Sequence, residues 1–188
     1  MSNKLLIVVD MQNDFVTGCL GSKEAEAIVP KMSEYVRNFD GTVLFTQDTH
    51  DEDYDHTEEG KNLPVRHCLK DTDGWKIIPE LAGFTRREIV FTKETFGART
   101  LLDFLSSQET YDEIELCGVC TGICVISNAV LAKTAQPNAH IVVLRDLCAC
   151  VTPETHETAL NAMKTLQIEV IDSGAEEDDS TLINPVVF

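Results

Sequence analysis

The chain has 188 residues, 43% hydrophobic and 25% charged, enough to bury a sizeable core as one domain over residues 1–188 and too ordinary in composition for wholesale disorder. Its 15 basic and 32 acidic residues leave a net charge of −17, which disfavours nucleic acid and anionic membrane surfaces as partners. Seven cysteines, with no secretory leader pattern and no apolar run of membrane-spanning length, point to a reduced cytoplasmic protein rather than a disulfide framework.

Apolar runs alternate with helical stretches along the chain. KLLIVV (residues 4–9) predicts a fully buried strand with Asp10 at its end. Residues 24–39 carry Ala27, Ile28, Met32, Tyr35 and Val36 near helical spacing, with Pro30 an objection to a straight helix. TVLFT (42–46) predicts a strand, and residues 48–74 then form a polar connection rich in His, Asp and Glu. Connections of that length inside a compact domain are usually functional or mobile. EIVFT (88–92) is strand-like, residues 100–105 helical, and residues 113–118 a strand leading into the turn CGVCTGIC. A helix over 124–134, a strand over 140–144, a helix over 153–166 opening on Pro153 and a last strand over 168–171 follow. The acidic run 176–179 reads as a solvated turn. Continuous apolar strands separated by helices predict an α/β fold, a three-layer α/β/α sandwich around a doubly wound six-stranded parallel sheet.

In such sheets ligands bind outside the carboxyl ends of the strands. Four strand ends carry reactive side chains: Asp10, Asp48 with His50, Lys93, and the cysteine turn. Cys124 is placed at a helix start, where unpaired N–H groups and the helix dipole favour thiolate and can also receive an oxyanion.

The segments VVDMQNDF (8–15), TQDTH (46–50), LPVRHC (63–68), TKETF (92–96) and CGVCTGICV (117–125) appear in this order. Together they resemble the isochorismatase-like cysteine hydrolase superfamily, nicotinamidase branch, over residues 5–171. The resemblance implies a catalytic triad of Asp10, Lys93 and Cys124, with Asp10 as proton acceptor and Lys93 stabilising the thiolate. It also implies a non-proline cis peptide before Cys120, aiming the N–H groups of Cys120 and Cys124 at an oxyanion. The reaction implied is hydrolysis of nicotinamide to nicotinate and ammonia through a thioester.

Asp48, His50 and His67 resemble that branch's metal motif, with Glu59 as fourth ligand in some relatives and Glu58 its neighbouring alternative. Two histidines and a carboxylate suit zinc first, with iron(II) and manganese(II) compatible. Phe15, Trp75 and Phe96 are candidates for aromatic walls around a flat amide substrate. Thr49 and Asp51 stand where many nicotinamidases carry Trp and Pro, and Asp71 where Gly is common. The resemblance also implies a homo-oligomer. His56, His140 and His156 read as surface or packing residues, and Cys117, Cys148 and Cys150 as packing residues. Two other readings remain: a hydrolase of the same superfamily acting on another small amide or carbamoyl compound, and a structural or regulatory protein holding zinc on its cysteines.

Overall fold

The structure is a computed structural model describing residues 3–86 and 89–175. Six parallel strands form one sheet in the order β3-β2-β1-β4-β5-β6: β1 Lys4–Val9, β2 Thr42–Asp48, β3 Val90–Lys93, β4 Glu113–Val119, β5 His140–Ala149 and β6 Glu169–Ile171. Glu88, expected to begin β3, and the acidic run 176–179 lie outside the described residues.

Strands β1 and β4 run through the centre, and Leu5 to Val9 are completely buried. A strand covered on both faces must be apolar at every position, which is why KLLIVV is a run and not an alternation. Helices cover both sides of the sheet. After the single turn α1 (Asn13–Val16), helix α2 (Lys23–Asn38) connects β1 to β2; the short α3 (Glu58–Asn62) and α4 (Pro79–Ala82) lie between β2 and β3, and α5 (Arg99–Ser106), α6 (Ile126–Ala135) and α7 (Pro153–Thr165) carry the chain back across the sheet.

Pro30 does not break α2. Ser22 caps the helix by accepting from the Ala25 N–H, and Ala25, Ile28, Met32 and Val36 form one buried stripe. Pro30 is exposed, so its missing N–H and bulk meet solvent while the stripe holds the helix on the sheet. Strand order reverses between β1 and β4, leaving a crevice at their carboxyl ends. Gly118 makes that approach feasible: it has φ +122°, and a Cβ there would lie 2.1 Å from the Val9 carbonyl oxygen.

Candidate active site

Asp10 leaves β1 with φ +49°, a left-handed conformation uncommon for a residue with a side chain. Thr46, on β2, holds it there. The Asp10 N–H bonds the Thr46 carbonyl oxygen at 3.3 Å and its Oγ1 at 3.2 Å, and the Thr46 hydroxyl donates to Asp10 Oδ1 at 2.6 Å. Lys93 ends β3 in register with Asp48 at the end of β2. Its Nζ lies 2.7 Å from Asp10 Oδ2, 2.8 Å from Asp48 Oδ1 and 3.5 Å from Cys124 Sγ. One buried ammonium thus touches two carboxylates and the sulfur, although the four residues come from four separate strand ends.

The peptide between Val119 and Cys120 is cis. Residues Thr121–Val125 then make a wide π-type turn closed by the Val125 N–H on the Cys120 carbonyl at 3.1 Å, and α6 follows. Asn128, fully buried on α6, fixes this turn. Its Nδ2 donates to the Cys124 carbonyl at 2.8 Å and the Phe96 carbonyl at 3.1 Å, and its Oδ1 accepts from the Ala98 N–H at 2.9 Å.

The electrostatics correct one sequence expectation. Burial pushes the Cys124 thiol upward, the Asp10 carboxylate adds to this, and Lys93 only partly opposes it. The direction is toward a resting thiol, set by desolvation and an adjacent carboxylate. Burial also raises Asp10 against the pull of Lys93. Lys93 itself, despite burial, is held well above the ordinary lysine range by Asp10, Cys124 and Asp48, so it stays charged.

Asp48, His50, Glu59 and His67 converge beside this group, each offering a ligand atom within 4.8 Å of the others. His50 Nε2 lies 2.9 Å from Asp48 Oδ2 and 3.8 Å from Glu59 Oε1; His67 Nε2 lies 3.5 and 3.6 Å from the same atoms. His67 Nδ1 donates to the Val65 carbonyl at 2.8 Å, which leaves Nε2 as the lone-pair nitrogen. His50 Nε2 is buried without a hydrogen-bond partner. An orphaned imidazole nitrogen facing two carboxylates and a second imidazole is the donor set a divalent metal requires, so the residues fit one. Glu58, the alternative to Glu59, instead pairs with Lys61 on the exposed side of its helix.

Besides Asn128, three residues that are not candidates in the sequence support the site. Gln12, fully buried, clamps the Asp48 backbone from both sides: its Oε1 accepts from the Asp48 N–H at 2.7 Å and its Nε2 donates to the Asp48 carbonyl at 2.8 Å. Tyr54 packs its ring 4.7 Å from His50 and 5.1 Å from His67 and donates its hydroxyl to the Leu63 carbonyl. Thr46, which holds Asp10, is the third. Gln12 and Thr46 stand inside the segments VVDMQNDF and TQDTH, where nothing marks them as supports, and Tyr54 stands in neither.

A pocket of about 400 Å³ opens onto Cys124, Asp48, Glu59 and His67, with Phe15 and Phe96 in its wall. Phe15 also stacks 5.4 Å from His67. Trp75 is not in it. Its indole Nε1 donates to Thr49 Oγ1 at 2.8 Å, and the ring lines a separate depression with Gln47 and Lys70. Asp71, the residue in place of a common glycine, has φ +65°. Cys150, read as packing, lines the active pocket. Among the described residues no cysteine cluster has the makings of a metal site, which removes the support for a zinc–thiolate protein. No helix among them is long and apolar enough to cross a membrane.

The chain matches the isochorismatase domain family over residues 4–175. It is 30% identical to the nicotinamidase/pyrazinamidase of Mycobacterium tuberculosis, over 89% of this chain and 98% of that protein. Among solved structures, the pyrazinamidase of Pyrococcus horikoshii in complex with zinc superposes with a TM-score of 0.76 at 30% identity, covering 90% of this chain and 99% of that one. The pyrazinamidase/nicotinamidase of Streptococcus mutans gives a TM-score of 0.78 at 29% identity, with coverage of 90% and 100%. The chain belongs to the isochorismatase family and is an amidohydrolase of its nicotinamidase branch.

Proposed function

We propose that this chain hydrolyses nicotinamide, and the related pyrazinamide, to the free acid and ammonia through a thioester on Cys124. The observation that carries the reading is the position of Lys93 Nζ, in contact with Asp10, Asp48 and Cys124 at once.

Asp10 takes the thiol proton as the sulfur attacks the amide carbonyl. The fixed charge of Lys93 offsets the cost of forming a buried thiolate, and a thiol at rest makes a base necessary rather than optional. Backbone N–H groups of Cys120 and Cys124 receive the negative charge on the carbonyl oxygen. Asp10 then protonates the departing nitrogen, and ammonia leaves. In the second half Asp10 deprotonates a water that attacks the thioester, and the proton passes back to sulfur as the acid is released.

Asp48, His50, Glu59 and His67 would hold a divalent metal, zinc first in expectation. Such an ion supplies a Lewis acid that fixes and polarises a substrate ring nitrogen or a water. Phe15 presses on His67 and, with Phe96, flanks the space for a flat ring. The protein works inside the cell and as an oligomer on this reading.

The test is ammonia release from nicotinamide, pyrazinamide and aliphatic amides by metal-loaded protein, alongside Cys124→Ala. Activity on the two aromatic amides that disappears in the variant is expected. Undiminished activity in the variant overturns the nucleophile, and hydrolysis confined to aliphatic amides overturns the substrate.

A further inference from the structure

We propose that Cys120 and Cys150 are an oxidative modification site, a reversible disulfide in the wall of the active pocket closed by exchange with a small disulfide. The parallel pairing of β4 with β5 ends at Gly118 with Cys148 and Val119 with Ala149. Cys120 and Cys150 each follow directly on the last paired residue of their strand. Parallel neighbours such as Val119 and Ala149 lie about 4.8 Å apart, so the two cysteines leave adjacent strand ends. Both line the same pocket. The Cys150 side chain is near enough to the Cys120 thiol to help raise it. Cys150 Sγ also lies against the cysteine turn, 3.7 Å from where a Cβ on Gly122 would sit.

Cys117, Cys148 and Cys19 do not offer the same arrangement. Cys117 is completely buried and the β4–β5 register shifts between Leu116 and Gly118, so it lacks both access and pairing with Cys148. Cys19 is exposed at the surface and does not itself line the pocket, although the neighbouring Leu20 does. Burial pushes the Cys120 thiol up to about 12, so Cys120 rests as a thiol and reacts through a small thiolate fraction.

The exchange is balanced. The Cys120 thiolate attacks one sulfur of the oxidant, forming a mixed disulfide and releasing the first small thiol. The Cys150 thiolate then attacks the Cys120 sulfur, closing the protein disulfide and releasing the second. The protein loses two electrons and two protons, and the oxidant becomes two thiols. The closed bond ties the ends of β4 and β5 together and draws on the backbone at Cys120. Its effect on activity rests on the proposed use of that backbone N–H for the oxyanion; the covalent result does not.

The experiment treats full-length Cys19→Ser protein, which retains six thiols, with 2-hydroxyethyl disulfide. Fragment-resolved mass spectrometry is expected to find Cys120 joined to Cys150, with four thiols remaining and full reversal by dithiothreitol. In Cys150→Ala the second step is blocked, and Cys120 should retain half of the oxidant as a mixed disulfide. A Cys117–Cys148 link, no link, or an unmodified Cys120 in that variant overturns the proposal. Ammonia release is expected to fall at least tenfold on closure and return on reduction. A link that leaves an active enzyme unchanged overturns the effect on the pocket, whereas protein inactive in both states refutes the substrate assignment and leaves the link standing.

Discussion

Gln12→Leu should damage the metal site without touching a ligand. The Gln12 side chain makes three hydrogen bonds: two with the Asp48 peptide groups and one, at 2.8 Å, to the Trp75 carbonyl. Trp75 keeps a partner in the variant, because Gln47 Nε2 also reaches its carbonyl at 2.9 Å. The Asp48 N–H and carbonyl lose theirs inside a residue that is only 3% exposed. Each such buried orphan costs about 1–3 kcal/mol, and leucine recovers roughly 1 kcal/mol by filling the space with apolar atoms, for a net loss of about 1–5 kcal/mol, centred near 3. Asp48 would also lose its orientation toward His50, His67 and Lys93, and outer-shell changes of this kind weaken metal binding by about 10–100-fold. Denaturant unfolding of metal-free protein measures the first quantity, and zinc competition against a chromophoric chelator the second. A variant as stable as wild type, with unchanged zinc affinity, refutes the claim that Gln12 sets the position of Asp48.

Lys93→Ala should lower activity by about 10³-fold or more and stability by about 3–5 kcal/mol, because Asp10 and Asp48 are left as uncompensated buried charges; steady-state kinetics and unfolding midpoints check both. Gly118→Ala should cost about 3 kcal/mol or more through its positive φ and the Val9 carbonyl, and a loss under about 1 kcal/mol in urea titration contradicts the close approach. Glu115 is buried beside Tyr35, which donates its hydroxyl to Glu115 Oε2, and burial raises its carboxyl to about 7. Because the folded carboxyl binds its proton more tightly than the unfolded one, the stability it contributes is complete below pH about 4.5 and declines as pH rises through about 7. Glu115→Gln should therefore gain about 1–2 kcal/mol on wild type between pH 5 and 8, allowing for partial access of water; identical pH–stability curves contradict the assignment.

Much of this molecule was legible because its central strands are covered on both faces. KLLIVV cannot alternate and must be a run, and the reactive residues sit where the runs stop. The rule that sites gather at carboxyl strand ends then brought Asp10, Asp48, Lys93 and Cys124 to one edge from the sequence alone. Gln12, Thr46 and Asn128 were not legible in that way. Each acts by hydrogen-bonding groups 30 or more positions away, Gln12 to Asp48 and Thr46 to Asp10 across 36, and Asn128 to Ala98 across 30. No periodicity records such a pairing. Trp75 was misjudged for the related reason that its indole already had a partner in Thr49, the residue standing where relatives carry an aromatic.

Cys124 shows the same limit of local sequence. A dipole is set by a few residues and can be read from them, whereas desolvation depends on everything packed around the sulfur. What the fold builds is a buried cluster in which the carboxylate that raises the thiol is, on the proposed reading, also the group that removes its proton. Asp48 joins that cluster to the candidate metal ligands by dividing its oxygens: Oδ1 faces Lys93 and Oδ2 faces His50 and His67. A change at either side of Asp48 must therefore be felt at the other, because one carboxylate and one backbone clamp serve both. Substitutions at Lys93 should alter zinc affinity, and substitutions at His50 should alter the reactivity of Cys124, although neither pair is in direct contact through the chain.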